Sequence, residues 1–291
     1  MAQLIDGKQI ASDIRQELKE EVVQLQKEGI RPGLMVIFVG DNPASQSYIR
    51  GKVRAATEVG IASEVLRMGE GITETQLLDK IEELNQDEAV HGILVQLPLP
   101  KHIDELKVIE AISPEKDVDG FTPINVGKMM TGLECYLPCT PFGIMQLLER
   151  SNVTIDGKHV VVIGRSNIVG KPVSMLLQRA NATVTMCHSR TPDLATFTQQ
   201  ADIIVSAVGK VGLITADHIK DGAVVIDVAM NRNEEGKLVG DVVFDEVFNK
   251  ASAITPVPGG VGPMTIAMLM RNTIEAAKRA SEDRVSLISV E

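Results

Sequence analysis

Residues 160–163, Val-Val-Val-Ile, break into Gly164-Arg165-Ser166-Asn167-Ile168-Val169-Gly170 and then into the apolar pattern of a helix. A strand, turn and helix start in this order make an anion site, because the first N–H groups of a helix have no partners within it. Gly164 permits the tight turn, Ser166 is placed to cap the helix, and Gly170 lets the helix pack closely on the strand. The usual occupant is a dinucleotide pyrophosphate, although Ser166 stands where the common G-x-G-x-x-G has its second glycine and Gly170 comes one residue late. About 20 residues past the glycines a dinucleotide fold ordinarily carries an acid for the adenine ribose. Here residues 172–191 hold no Asp or Glu and end in His188-Ser189-Arg190-Thr191. A guanidinium beside hydroxyls, with no carboxylate to repel a phosphate, suits a ribose 2′-phosphate, so the cofactor expected is NADP rather than NAD. The alternative is an ordinary βαβ turn with no ligand.

The elements around this motif alternate. Residues 160–163, 183–187, 203–207 and 223–228 read as strands with helices between, which implies a parallel sheet covered on both faces. Upstream, an amphipathic helix carrying Ile10, Ile14, Leu18, Val22 and Leu25 is followed by strands at 34–39, 62–66 and 91–96. Asn42 and Pro43 mark a helix start, and Thr73 with Gln76 forms a capping box for the next helix. Tyr48 and Lys52, four residues apart, share one helix face near the carboxyl end of the preceding strand, where open α/β sheets bind ligands. Taken alone, such a pair also fits a surface tyrosine with a snorkelling lysine.

Gln96-Leu97-Pro98-Leu99-Pro100 ends the third strand, because proline cannot continue the ladder. Gln96 is thereby left at a carboxyl end, as a ligand contact or a cap on the sheet edge. Residues 113–121, which include Asp117 and Asp119, read from composition as a solvated connector. Thr140-Pro141 starts a helix expected to bridge two domains. Residues 255–265 hold three prolines and three glycines and form a shaped loop, from which Pro263 opens a last helix through Ala280. That helix, with Ile266, Met270 and Ile274 on its apolar stripe, is expected to return to the first domain.

The 291 residues are long enough for two cores, and a net charge of −10 without a basic cluster argues against nucleic acid as a partner. No apolar run approaches the ~20 residues a membrane span needs, and the first residues lack the features of a secretory signal, so a cytoplasmic protein is expected. Cys135, Cys139 and Cys187 have no second ligand pair at zinc spacing and the five histidines are scattered, so no metal is expected and the thiols read as structural or incidental.

Five separated motifs now stand in one order. They are Tyr48-x-x-x-Lys52, residues 95–100 (Val-Gln-Leu-Pro-Leu-Pro), residues 114–120 (Pro-Glu-Lys-Asp-Val-Asp-Gly), Gly164-Arg165-Ser166-x-Ile168-Val169-Gly170-x-Pro172, and residues 258–265 (Pro-Gly-Gly-Val-Gly-Pro-Met-Thr). Together they closely resemble the bifunctional methylenetetrahydrofolate dehydrogenase/cyclohydrolase family, nearly end to end. The resemblance implies two α/β domains flanking a cleft, the second a Rossmann-type parallel sheet with helices on both faces. The first would be residues 1–139 plus 264–291 and bind folate; the second, 140–263, would bind NADP. It implies oxidation of 5,10-methylenetetrahydrofolate by NADP to the methenyl cation, then hydrolysis to 10-formyltetrahydrofolate, with tetrahydrofolate derivatives as substrates and a homodimer as the assembly.

On the matching positions, Lys52 corresponds to the catalytic lysine, Gln96 to the residue that hydrogen-bonds it, Tyr48 to the ring beside the folate, and Asp119 to the carboxylate that recognises the pterin. Asp117 reads as a loop-structuring acid. Leu97, Pro98, Pro258, Gly259 and Gly260 join Tyr48, Gln96 and Asp119 as substrate contacts; Gly164, Arg165, Ser166, Ser189, Arg190 and Met230 form the cofactor set. The chain departs from the family at Ile49 and Arg54, where valine and a second lysine are common, and at Ala229-Met230, where Gly-Ile is favoured before Asn231. The competing readings are a dinucleotide-binding module without catalysis and another two-domain NADP dehydrogenase.

Overall fold

Continuous β-branched runs become buried parallel strands and the 3.6-residue patterns become the helices over them, in a computed structural model that describes residues 2–288. In chain order these are β1 (Gln3–Leu4), α1 (Gly7–Lys27), β2 (Gly33–Val39), α2 (Pro43–Val59), β3 (Ala62–Met68), α3 (Glu74–Gln86) and β4 (Gly92–Val95). Helices α4 (Glu105–Ala111), α5 (Pro123–Thr131) and α6 (Cys139–Arg150) precede β5 (His159–Ile163), α7 (Gly170–Arg179), β6 (Thr183–Cys187), α8 (Leu194–Thr198) and β7 (Ile203–Ser206). The remainder is β8 (Val224–Asp227), β9 (Asn231–Arg232), β10 (Leu238–Val239), α9 (Phe244–Phe248), β11 (Ala253–Ile254) and α10 (Val261–Ile288). No described helix is long and apolar enough to cross a membrane.

The chain divides into two compact units, Asp13–Cys139 with Ile266–Glu291, and Met1–Ser12 with Thr140–Thr265. The first, here the Lys52 unit, is built on a three-stranded parallel sheet in the order β3-β2-β4. Its core joins Ile37, Val39, Ile93 and Val95 of the sheet to Leu77, Ile81 and Leu84 of α3 and Val108 of α4. Each such buried aliphatic side chain contributes roughly 1.5–3 kcal/mol. The capping box of α3 is present in both directions, with the Thr73 hydroxyl accepting from the Gln76 N–H and the Gln76 side chain accepting from the Thr73 N–H. Helix α10 starts at Val261, two residues before Pro263. A proline is accommodated there because the first turn needs no N–H from it.

The second, the Gly164 unit, holds a six-stranded sheet in the order β1-β11-β8-β7-β5-β6, parallel at every pairing. Val160, Val161 and Val162 are fully buried, as a strand covered on both faces requires. The first twelve residues belong here and not, as expected, with the Lys52 unit. Gln3 and Leu4 pair with Ala253 and Ile254, and the Lys8 N–H donates to the Gly259 carbonyl, so a two-residue strand pairs with residues some 250 positions away.

Candidate active site

In the Lys52 unit, Gly40 turns the chain at the end of β2 with φ +85° and the Asn42 side chain accepts from the Ser45 N–H at 3.2 Å, which starts α2 at Pro43. One turn on, Tyr48 and Lys52 fall on the same face. The Lys52 side chain, only 5% exposed, donates from Nζ to Gln96 Oε1 at 3.0 Å and lies 5.0 Å from the centroid of the Tyr48 ring. Gln96 follows β4, where its N–H still donates to the Ile37 carbonyl of β2. Its Nε2 donates to the Leu97 carbonyl at 2.8 Å, which leaves the amide oxygen for Lys52. Leu97 and Pro98 come next, joined by a cis peptide. Ile49 is buried, so the departure from valine beside Tyr48 is a matter of packing, and Arg54 is exposed.

Residues 113–121 are not a solvated connector. Asp117, 1% exposed, accepts from the N–H groups of Gly120 and Phe121 on Oδ1 and from the Thr122 N–H and Asn125 Nδ2 on Oδ2. These four bonds give the loop its shape, as expected of a loop-structuring acid, and the loop carries Asp119 to Lys52. Cys139, read from its spacing as structural or incidental, belongs to the same group, for its thiol lies 3.2 Å from the Val118 carbonyl and against the Asp119 carboxyl. Nothing in its local sequence marks this, because the partners are some twenty residues upstream.

Burial dominates the electrostatics. It lowers the proton affinity of the Lys52 amine below the ordinary lysine range, against the opposing charge of Asp119. It raises that of Asp119, which the Lys52 charge pulls back down and the Asp117 charge pushes up again. Cys139 is pushed well above its usual value by burial and by Asp119, and stays a neutral thiol. An amine and a carboxyl that each lean toward the neutral form, with an uncharged amide holding the amine, can exchange a proton with something bound beside them.

In the Gly164 unit the shape is set by backbone. Gly164 has φ +119°, and a Cβ on it would lie 2.5 Å from the Ala207 carbonyl oxygen. A Cβ on Gly170 would lie 2.2 Å from the Gly164 carbonyl oxygen, so the helix start packs on the turn as its glycine suggested. Ser166 accepts on its hydroxyl from the N–H groups of Val169 and Gly170 at 3.2 and 3.3 Å, capping the turn that leads into α7 rather than standing next to the helix. Arg165 and Ser166 are exposed. After β6 the His188 N–H donates to the Thr191 hydroxyl and the Arg190 N–H to His188 Nδ1, a turn that presents Ser189 and Arg190 to solvent.

Two glycines that cannot carry a side chain, a capped helix start and an exposed guanidinium on an acid-free strand end fit a phosphorylated dinucleotide. Met230, half-exposed after β8, has its sulfur 3.3 Å from where a Cβ on Gly262 would stand. Pro258, Gly259 and Gly260 also stand in this unit, on a loop against the start of α1, where a Cβ on Gly7 would lie 1.9 Å from the Gly260 carbonyl oxygen.

Residues 5–119 match the catalytic domain of tetrahydrofolate dehydrogenase/cyclohydrolase, and residues 138–281 match the NAD(P)-binding domain of the same proteins. The bifunctional protein FolD of an Exiguobacterium species is 63% identical over 279 residues, which is 96% of this chain and 100% of that protein. The solved bifunctional FolD methylenetetrahydrofolate dehydrogenase/cyclohydrolase from Campylobacter jejuni is 53% identical with a TM-score of 0.95, over 96% of this chain and 99% of that one. The methylenetetrahydrofolate dehydrogenase-cyclohydrolase (FolD) of Trypanosoma brucei, solved with NADP cofactor and an inhibitor, is 44% identical with a TM-score of 0.92, over 96% and 98% of the two chains. With both of its halves matched and its relatives covered nearly end to end, the chain belongs to the tetrahydrofolate dehydrogenase/cyclohydrolase family.

Proposed function

We propose that Lys52, Tyr48, Gln96 and Asp119 carry the folate chemistry of this chain and that Gly164, Arg165, Ser166, Ser189, Arg190 and Met230 hold its nucleotide. The overall activity is that of the family. The chain oxidises 5,10-methylenetetrahydrofolate to 5,10-methenyltetrahydrofolate with NADP and hydrolyses the product to 10-formyltetrahydrofolate. NADP, when bound, supplies the hydride acceptor. What the residues must do is hold the folate and move protons.

Water that adds to the methenyl carbon loses a proton, and a desolvated amine at Lys52 is suited to receive it. Gln96 fixes that amine through one hydrogen bond and adds no charge that would favour its protonation. Tyr48 offers a ring face beside the amine for the folate to pack on, and Leu97 and Pro98 extend that surface from Gln96. As a carboxylate, the form the Lys52 charge favours, Asp119 offers two acceptor oxygens, which match the ring N–H and exocyclic amine of a pterin. On the nucleotide side, Arg190 gives the 2′-phosphate a charge-assisted partner, and the helix start at Gly170 receives the pyrophosphate.

The family resemblance also supports a homodimer that works in the cytoplasm. The observation that carries the reading is a lysine almost wholly buried in hydrogen bond with a glutamine. The test mixes purified protein with methylenetetrahydrofolate and NADP and follows NADPH and methenyltetrahydrofolate by absorbance. NADPH should accumulate while the methenyl band decays to formyltetrahydrofolate, and a mixture that forms neither would refute the reading.

A further inference from the structure

We propose that Asp241 is a positioning residue for the nicotinamide half of the cofactor. The sheet order determines where that half must go. Arg190 follows the edge strand β6 and the glycine turn follows its neighbour β5, so a dinucleotide with its adenine end at β6 continues past β5 over the carboxyl ends of β7 and β8. At those ends Val208, Val211 and Met230 are 39%, 50% and 49% exposed, an apolar surface suited to the face of a ring. The inference rests on the nucleotide path proposed above.

The two loops that carry this surface are held by one carboxylate. Asp241, fully buried, accepts on Oδ2 from the Ser206 hydroxyl at 2.9 Å and the Val208 N–H at 3.0 Å. On Oδ1 it accepts from the Lys210 N–H at 2.7 Å and from Asn231 Nδ2 at 3.3 Å. Ser206, Val208 and Lys210 define the exit from β7, and Asn231 is the neighbour of Met230 after β8. Asp241 thus sets both sides of the surface at once while contacting neither ring nor solvent.

A second carboxylate fixes Asp241 in turn. Asp227, at the end of β8, accepts from the N–H groups of Ala229, Asp241 and Val242. A Cβ on Gly240 would fall 1.8 Å from Asp227 Oδ2, so only glycine lets residues 240–241 run this close. The loop geometry beneath the apolar surface is therefore built from two buried acids and a glycine, with no side chain of its own reaching the ligand.

The test is Asp241→Asn, which keeps the shape and turns one acceptor oxygen into an amino group facing two donors. NADP should bind about tenfold more weakly or worse. Adenosine 2′,5′-bisphosphate, which carries only the adenine half, should bind within twofold of the parent. Hydrolysis of supplied methenyltetrahydrofolate, which needs no hydride acceptor, should also stay within twofold. Equal weakening of both nucleotides, or unchanged NADP binding, would overturn the proposal. Should that variant not fold, Ser206→Ala removes one of the four donors and decides it, since the same selective loss on a smaller scale supports the assignment and its absence rejects it. Failure of the underlying nucleotide path is read separately, in the response of NADP and NAD to Arg190→Ala.

Discussion

Around Lys52 the charged groups are buried and their own side chains do the contacting, whereas around Gly164 the charged groups offered to a ligand, Arg165 and Arg190, are exposed and the buried part is backbone. The consequences differ. Desolvation moves Lys52 and Asp119 toward their neutral forms, and a neutral amine is suited to take up a proton. An exposed guanidinium keeps its charge and can only bind. The Lys52 unit is therefore sensitive to the electrostatics of a few atoms, and the Gly164 unit to the shape of its loops.

The largest effect that follows is in Lys52→Ala. Removing a positioned proton carrier costs about 10²–10⁴-fold in rate, so hydrolysis of methenyltetrahydrofolate should fall by that much while NADP binding, measured by titration, stays within twofold. Loss of both together would break the separation of roles between the units. Normal hydrolysis would remove Lys52 from the chemistry.

A smaller and more selective effect is expected from Arg190→Ala. A hydrogen bond to a charged group is worth about 1.5–3 kcal/mol, or roughly ten- to a hundredfold in affinity. NADP should weaken by that factor and NAD by much less, because only NADP carries the 2′-phosphate. Equal weakening of the two dinucleotides would show that the turn after β6 acts through shape as well, and the contrast with the Lys52 unit would extend to every loop of the nucleotide site.

How much of this was legible in the chain follows the range of the interactions. The turn at Gly164, the close approach at Gly170 and the reciprocal cap between Thr73 and Gln76 depend on neighbours in sequence, and local residue chemistry was enough to read them. Lys52 and Gln96 are 44 positions apart, and their hydrogen bond was reachable only through the resemblance that paired their motifs. That Cys139 is one of the structural thiols rather than an incidental one depends on Val118 and Asp119, which no spacing rule connects to it. The first twelve residues were placed in the wrong unit because two residues of strand carry no periodicity, and their pairing with Ala253 and Ile254 is decided by the tertiary fold. Asp241 carries no local signal for a similar reason, since its four donors come from two segments, residues 206–210 and Asn231, that lie 10 to 35 positions away.

The smallest expected effect is on stability, and it asks whether the two units differ inside or only at the surface they present. Burial pushes the Asp227 carboxyl from its ordinary 3.8 to about 6, against the N–H groups of Asp241 and Val242 and with the Asp241 charge adding to the rise. The folded chain then holds that proton more tightly than the unfolded chain. The stability this contributes is full below about 3.8 and is lost as the pH rises through about 6. Urea unfolding of the parent and of Asp227→Asn from pH 4 to pH 7 isolates it, because any loss from the changed side chain that is independent of pH cancels in the slope. The parent should lose stability relative to the variant by at most about 1.4 kcal/mol per pH unit, levelling off above 7. Drift in the opposite direction would mean that three N–H donors outweigh burial at this site. Drift as expected would show that the nucleotide unit desolvates its carboxylates as the Lys52 unit does, and that the two differ in which groups they turn toward a ligand.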